Sequence, residues 1–85
     1  MYYLYILKCS DNTLYTGITT DIRRRLKEHN SSRLGSKYTR ARRPVILIYS
    51  HGFPDRSSAA IEESRIKKLS RLEKLNFSQI SVSEL

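Results

Sequence analysis

Alternating side chains in residues 1–9 predict a β-strand, and the polar residues after it predict a hairpin. The two faces of this strand would carry, respectively, Tyr3, Tyr5 and Leu7, and Tyr2, Leu4 and Ile6. Because both faces are largely apolar, both are expected to be at least partly covered. Residues 10–13 have the composition of a turn, so residues 14–16 should return as an antiparallel strand. This hairpin would bring Tyr5 close to Tyr15.

A basic amphipathic helix is predicted from Ile22 to about Asn30. Thr20 or Asp21 can cap its first turn, because either side-chain oxygen can accept a hydrogen bond from a free backbone N–H. Gly17 is expected to form the turn between strand and helix, since glycine adopts positive φ at little cost.

This helix places a histidine and an arginine at the edge of its apolar stripe. With about 100° per residue, His29 lies roughly 20° and Arg25 roughly 60° from Ile22 on one side, with Leu26 roughly 40° away on the other. The cations that point away are Arg23, Arg24 and Lys27. A guanidinium that faces the protein body is costly unless it meets an anion. The spacing therefore leaves two alternatives, an anion-binding site or a structural ion pair beside a packed histidine.

The second half of the chain predicts a strand and a helix. Residues 31–44 are polar and basic, and are typical of a loop or an irregular turn. The apolar run Val45–Tyr49 indicates a central strand. Asp55 or Ser57 can then cap a helix that runs to about Leu69.

The length of 85 residues predicts one domain, with a core over about 1–75 and a short tail over about 76–85. Ser70 with Glu73 matches a capping box that starts a second short helix, and Phe77 and Ile80 can add a last packed turn.

Neither a membrane span nor a secretory context is predicted. The chain has no run of about 18 apolar residues, and Lys8 interrupts the apolar start where a signal peptide would lie. Cys9 is a lone cysteine without a disulfide partner or zinc-ligand spacing. We therefore expect a cytoplasmic protein that does not associate with membranes.

Positive charge is concentrated in the middle of the chain. Sixteen Lys and Arg against eight Asp and Glu give a net charge of +8, and Glu28 is the only acid between residues 23 and 43. Nine cations lie in that segment: Arg23, Arg24, Arg25, Lys27, Arg33, Lys37, Arg40, Arg42 and Arg43. Such a field attracts polyanions, and Tyr38 adds a ring on which a base can stack. Tyr38 and all of these cations except Arg25 are predicted to bind nucleic acid. The alternative is a solvated basic face.

A glutamate in the later helix is a second candidate for chemistry. Glu63 has more apolar helical neighbours than Glu62, since Ala59 and Ile66 lie three or four residues from both, and Ala60 only from Glu63. Its carboxylate can bind a hard divalent cation, or it can pair with Lys67 along the helix.

Taken together, these residues resemble the GIY-YIG nuclease superfamily. The matching set in chain order is Tyr3-Leu4-Tyr5, Tyr15-Thr16-Gly17, Arg25, His29 and Glu63. The segments 37–45 and 55–57 also resemble those of small stand-alone bacterial GIY-YIG proteins, and the likeness runs to about Leu75. The chain departs from the family pattern in having Tyr3-Leu4 in place of Gly-Ile and Thr16 in the second motif. It also has Ile18 at a position that is sometimes polar in the family, and Asn76 is its only late asparagine.

The resemblance implies an α+β fold with a central three-stranded antiparallel sheet flanked by helices. It also implies a metal-dependent endonuclease or exonuclease that hydrolyses DNA, with a role in DNA repair or recombination. RNA is an alternative substrate, and the resemblance does not identify a targeting partner. By motif position the catalytic set would be Tyr5, Tyr15, Arg25, His29 and Glu63. Glu63 would hold a single Mg²⁺ or Mn²⁺ ion.

These residue types suit phosphodiester hydrolysis. Arg25 can hold a non-bridging oxygen of the phosphate as charge builds in the transition state. Tyr15 is the candidate general base, with Tyr5 and His29 as alternatives. Because an ordinary phenol titrates near 10, such a base needs a nearby cation. The competing hypotheses are a non-catalytic nucleic-acid-binding module that uses the basic 23–43 face, and a scaffold whose charge keeps it soluble.

Overall fold

An antiparallel sheet forms the centre of the computed structural model, which describes residues 1–76. Its strands are β1 (Tyr2–Lys8), β2 (Leu14–Thr19) and β3 (Ile46–Phe53), in the order β2-β1-β3. The helices are α1 (Ile22–Ser31), α2 (Lys37–Arg40) and α3 (Arg56–Lys67), and residues 71–76 are also helical. The α+β fold with a three-stranded antiparallel sheet is confirmed.

The two faces of β1 belong to two separate cores, as its alternation predicts. On one face Tyr5, Leu7, Cys9 and Val45 are buried beneath α1, which contributes Ile22 and Leu26. On the other face the buried residues are Leu4, Ile6 and, from α3, Ile66.

The hydroxyl oxygen of Thr16 is buried and has no hydrogen-bond partner within residues 1–76.

The predicted turn at Gly17 is wrong. β2 continues through Gly17 to Thr19, and Gly17 does not have a positive φ. It pairs with Tyr5 of β1, and a Cβ at this position would lie 2.5 Å from the Tyr5 hydroxyl oxygen. Glycine is needed here because the phenol of Tyr5 covers its Cα.

The apolar run Val45–Tyr49 does not form a central strand. It contributes to β3, which is an edge strand, and Ile46 and Leu47 are 56% and 37% exposed. The central strand is β1, which pairs with both neighbours. A run of β-branched residues predicts a strand but does not reveal how many neighbours that strand has.

The helix starts follow the predicted caps. The Asp21 carboxylate accepts the Arg24 N–H at 3.0 Å, and the Asp55 carboxylate accepts the Ser58 N–H at 2.8 Å. Ser70 forms the predicted reciprocal capping box, because its N–H donates to Glu73 while its hydroxyl accepts the Glu73 N–H.

The basic segment 31–44 is more regular than predicted, since it contains the short helix α2, capped by Ser36. No helix within residues 1–76 is long and apolar enough to cross a membrane. The last turn predicted through Phe77 and Ile80 lies outside the described residues.

Candidate active site

Three aromatic rings from three elements meet on the α1 side of the sheet. Tyr5 of β1, Tyr15 of β2 and His29 of α1 have ring centroids 5.2 to 6.4 Å apart. Tyr5 is 3% exposed and His29 is fully buried. The hairpin thus brings Tyr5 close to Tyr15 as predicted, and α1 places His29 beside both rings.

Both nitrogens of the His29 ring are hydrogen-bonded. Nε2 lies 2.9 Å from the Tyr5 hydroxyl, and Nδ1 lies 2.7 Å from the Thr39 hydroxyl. The backbone N–H of Ser36 also donates to Nδ1, at 3.3 Å. Because a backbone N–H can only donate, Nδ1 acts as an acceptor, and a neutral ring then carries its hydrogen on Nε2. The ring therefore donates to the Tyr5 oxygen.

Burial, reinforced by the charge of Arg25, lowers the pKa of His29 to about 4. Arg43 lowers this pKa further, and Glu28 opposes the shift. The ring is therefore neutral at pH 7, as the hydrogen bonds require.

Burial also raises the pKa of Tyr5 to about 12. A hydrogen bond with Arg25 opposes this effect, while the charges of Tyr15 and Glu63 add to it. The phenol is protonated at neutral pH, and its oxygen lies 2.9 Å from Nε2 of His29.

Arg25 lies beside this hydroxyl and is held by α1 and by the loop that follows. Its Nη1 donates to Glu28 at 2.9 Å and to the carbonyl oxygen of Leu34 at 2.6 Å. Burial alone would lower the pKa of Arg25, but the hydrogen bonds with Glu28 and Tyr5 outweigh it and raise the pKa. The structural ion pair weighed as an alternative is thus present. A guanidinium has five N–H groups, and these two contacts use two of them.

Glu63 lies on α3, which packs on the face of the sheet opposite to α1. It is one turn from the buried Ala59 and Ile66, and its side chain is 21% exposed. Its carboxylate pairs with Lys67 at 3.3 Å, the alternative weighed for it, and it also contributes to the raised pKa of Tyr5. No group of three His, Cys, Asp or Glu side chains within residues 1–76 could hold a metal ion.

The cations predicted to bind nucleic acid differ in how exposed they are. Six cations have exposed side chains: Arg23, Arg24, Lys27, Arg33, Lys37 and Arg40. Arg43 is half-buried, and its guanidinium donates to the carbonyl oxygens of Glu28, His29 and Ser32 at the end of α1. The Arg43 guanidinium is therefore engaged in hydrogen bonds within the protein.

Tyr38 and Arg42 continue the aromatic cluster towards solvent. The Tyr38 ring stacks on Tyr15 with centroids 6.0 Å apart, and the Arg42 guanidinium lies 3.8 Å from the centre of the Tyr38 ring. Arg42 also donates to Asp11 and to the Tyr38 carbonyl oxygen, each at 3.0 Å. The ring that was predicted to stack on a base thus already has protein partners.

The sequence prediction missed Ser36 and Thr39. Thr39 is fully buried, and its N–H donates to the Ser36 hydroxyl at 3.1 Å. A serine can cap a helix, but the polar composition of residues 31–44 favours a loop there.

The chain matches a family model and is similar in sequence to several other proteins. The model described as the GIY-YIG catalytic domain matches residues 1–76. The chain is 56% identical over 69 residues to a UPF0213 protein of Desulfotalea psychrophila, covering 81% of this chain and 63% of the relative. It is 53% identical over 73 residues to a UPF0213 protein of Syntrophus aciditrophicus, covering 86% and 84%. The chain thus spans less than two thirds of the first relative's length.

Two solved structures have the same fold. The solution NMR structure of a UPF0213 protein from Bacillus halodurans superposes with a TM-score of 0.60 at 43% identity, covering 94% of this chain and 85% of that one. The solution NMR structure of a protein from E. faecalis gives a TM-score of 0.62 at 43% identity, covering 95% and 86%.

Proposed function

Because the chain belongs to the GIY-YIG family of catalytic domains, we propose that it hydrolyses phosphodiester bonds of DNA with a single Mg²⁺ or Mn²⁺ ion. The family is one of nuclease-type hydrolases that act on nucleic acid. The observation that carries the proposal is the buried Tyr5 hydroxyl, which is hydrogen-bonded to His29 beside an exposed basic surface.

Arg25 binds the scissile phosphate. Its Nη1 hydrogens are used by Glu28 and Leu34, which fix the plane of the guanidinium while other N–H groups remain for phosphate oxygens. A positioned guanidinium stabilises the charge that develops on these oxygens in the transition state.

Tyr5 takes the role of general base, for which Tyr15 is the first candidate by sequence. His29 donates to the Tyr5 oxygen, so the phenol's own hydrogen points away from that ring, and Arg25 favours the phenolate against the larger opposing effect of burial. With a pKa of about 12 it remains protonated in the free protein, so the phenolate needs additional positive charge when substrate is bound. Tyr15, which packs edge-on against His29, is the alternative base.

The residues present fit a metal held by one carboxylate. Mg²⁺ is commonly bound through one or two carboxylates, with phosphate oxygens and water completing its shell, and Glu63 is a partly exposed carboxylate whose charge contributes to the raised pKa of Tyr5. Such an ion would supply charge neutralisation on the phosphate and would favour the phenolate. Lys67 pairs with Glu63 in the free protein and must give up that contact.

The exposed cations bind the substrate backbone. Arg23, Arg24 and Lys27 on α1 and Lys37 and Arg40 on α2 supply charges for phosphates without reading the sequence. We extend the proposal to a cytoplasmic enzyme of DNA repair or recombination. RNA is the alternative substrate, and endonuclease and exonuclease action are both open.

The test is cleavage of end-labelled single-stranded, duplex and branched DNA with Mg²⁺, with Mn²⁺ or with a chelator. We expect metal-dependent cutting by the wild type, and roughly a hundredfold or greater loss of kcat in Arg25→Ala and Glu63→Gln, as is typical when a group that stabilises transition-state charge is removed. Tyr5→Phe should lose more activity than Tyr15→Phe if Tyr5 is the base.

Two matched variants control for general effects. Glu62→Gln removes the adjacent acid, which pairs with Arg65, and Arg56→Gln removes an exposed cation at the start of α3. Both should cut like the wild type. Full activity of Glu63→Gln with metal, or an equal loss in Glu62→Gln, would contradict the assigned role of Glu63.

The second candidate is a nucleic-acid-binding module without catalysis. One observation favours it: Arg25 already pairs with Glu28 and Glu63 with Lys67, so both charged groups that catalysis requires have partners in the free protein. It predicts salt-sensitive DNA binding that is unchanged in Glu63→Gln and indifferent to metal, with no cutting in any condition.

A further inference from the structure

We infer that Gly35 is a positioning residue. Because it has no side chain, the backbone of residues 34–36, called here the 34–36 segment, lies against α1 and orients both Arg25 and His29. The role of this segment in hydrolysis rests on the proposed function, but its effect on His29 can be tested without substrate.

The 34–36 segment contacts two site residues of α1 through its backbone. The Leu34 carbonyl oxygen accepts a hydrogen bond from Nη1 of Arg25 at 2.6 Å, and the Ser36 N–H donates to Nδ1 of His29 at 3.3 Å. Arg25 and His29 are four residues apart, so they lie on the same face of the helix. Three consecutive residues of the loop therefore reach both side chains.

Each contact supplies something that the site needs. At Arg25, the Leu34 carbonyl oxygen and the Glu28 carboxylate use both hydrogens of Nη1, which fixes the guanidinium plane and leaves other N–H groups for phosphate oxygens. At His29, a backbone N–H can only donate, so Nδ1 accepts and the neutral ring carries its hydrogen on Nε2, which faces the Tyr5 oxygen.

The Ser36 N–H, rather than the Thr39 hydroxyl, selects this tautomer. The Thr39 hydroxyl oxygen lies 2.7 Å from Nδ1 of His29 and 3.1 Å from the Ser36 carbonyl oxygen. It can donate to the ring, or accept from the ring while it donates to that carbonyl, so it accommodates either tautomer. An Nδ1–H that faced the Ser36 N–H would set two buried donors against each other, which is costly.

Gly35 allows the 34–36 segment to come this close to the helix. It is buried, and a Cβ at this position would lie 2.6 Å from the carbonyl oxygen of Glu28 and 2.9 Å from the Cα of His29. Both are backbone atoms of α1, and the Glu28 oxygen also accepts the Ser32 N–H at 3.1 Å at the end of the helix. Because these atoms cannot move without disturbing the last turn, a side chain at position 35 must push the segment away. The contacts with Arg25 and His29 would then lengthen together.

The first test compares wild type with Gly35→Ala and, as a matched control, Gly52→Ala. A Cβ at Gly52 would meet the sulfur of Met1, whose flexible side chain can move. Imidazole ¹⁵N NMR at pH 7, where His29 is neutral, reports its tautomer. The other histidine, His51, is exposed and gives a signal that does not depend on the 34–36 segment. We expect an Nε2–H ring in wild type and Gly52→Ala, and a populated Nδ1–H form in Gly35→Ala.

Cleavage assays on the same proteins give a second readout. We expect kcat to fall on the order of 100-fold in Gly35→Ala, the loss typical of catalytic groups displaced by about 1 Å. Gly52→Ala should retain most of its activity.

A second pair of variants isolates the Ser36 N–H. Ser36 has a φ of −64°, which proline also adopts, so Ser36→Pro removes the N–H whereas Ser36→Ala keeps it. Both variants lack the hydroxyl that accepts the Thr39 N–H, so that loss is common to them. We expect a pure Nε2–H ring of His29 in Ser36→Ala and a populated Nδ1–H form in Ser36→Pro, because only the Thr39 hydroxyl, which can also accept, then remains at Nδ1.

The outcomes separate this inference from the proposed function. An Nδ1–H ring in the wild type overturns the inference, as does a pure Nε2–H ring in both Ser36 variants, whether or not Gly35→Ala folds. A folded Gly35→Ala with the tautomer and activity of the wild type also overturns it. A wild type that binds DNA but never cuts it overturns the proposed function, while the NMR result still decides whether the 34–36 segment orients His29.

Discussion

Gly17 lacks a side chain because of a neighbour across the sheet. It pairs with Tyr5, and the phenol ring lies over its Cα, so that the hydroxyl can reach His29. Gly52 on β3 provides a useful contrast, because a Cβ there would meet the Met1 sulfur at 2.8 Å and the edge of the Tyr3 ring. Met1 is exposed and its flexible side chain can move, whereas Tyr5 is buried.

We expect Gly17→Ala to displace the Tyr5 ring, lower stability by roughly 1–3 kcal/mol as over-packing does, and abolish most cleavage. Gly52→Ala should affect both far less. Urea unfolding with a cleavage assay measures the two effects. If the two alanine variants behave alike, the contact between Tyr5 and Gly17 is not the reason for the glycine.

Part of the site could be predicted residue by residue, and part could not. Tyr5 and Tyr15 follow from strand pairing, and Arg25 and His29 follow from helical spacing, because both periodicities are local. Ser36 and Thr39 could not be assigned, since their contact with His29 depends on how the loop after α1 folds back.

At the scale of elements, α1 is completed by residues far from it in sequence. Arg43 donates to the carbonyl oxygens of Glu28 and His29, at 3.2 and 2.6 Å, and to that of Ser32. Asn30 exchanges two hydrogen bonds with the backbone of Val45, at 2.7 and 2.9 Å. These contacts tie the end of the helix to the start of β3. Caps at helix starts were predicted because they lie next to the helix, whereas this closure involves residues about 14 positions away.

Two arginines that look alike in sequence should therefore differ in effect. We expect Arg43→Ala to lower the free energy of unfolding by roughly 1.5–3 kcal/mol, the range for hydrogen bonds from a charged group. Arg40→Ala should leave stability unchanged and weaken DNA binding, with a shallower dependence on salt. Thermal unfolding and binding titrations at several salt concentrations measure both. Equal loss of stability in the two variants would show that Arg43 does not close the helix.

At the scale of the whole molecule, the α1 core encloses a neutral histidine. The charged groups that set its pKa are Arg25 and Arg43, which lower it, and Glu28, which raises it, while burial is the largest cause. Because the folded pKa of about 4 lies below the ordinary value of 6.5, the unfolded chain binds a proton more readily. The contribution of the neutral His29 ring to the free energy of unfolding is therefore complete above about pH 6.5 and is lost as the pH falls towards 4.

We expect the midpoint of urea unfolding to fall steadily between pH 6.5 and 4.5, and His29→Gln to remove most of this slope. The comparison cancels the contributions of capping carboxylates such as Asp55, whose lowered pKa both proteins share. Parallel slopes in the two proteins would show that His29 is not the group responsible.

The alternation of β1 between two cores has a consequence for how this chain can change over time. Tyr5 faces the site, while Leu4 and Ile6 on either side of it face α3. A one-residue insertion or deletion in the strand would exchange the two sets, sending the phenol into the α3 core and aliphatic side chains under His29. Substitutions can be absorbed one at a time, but length changes cannot. Variation in length should therefore accumulate in the connections, and β1 should keep its spacing for as long as the site is in use.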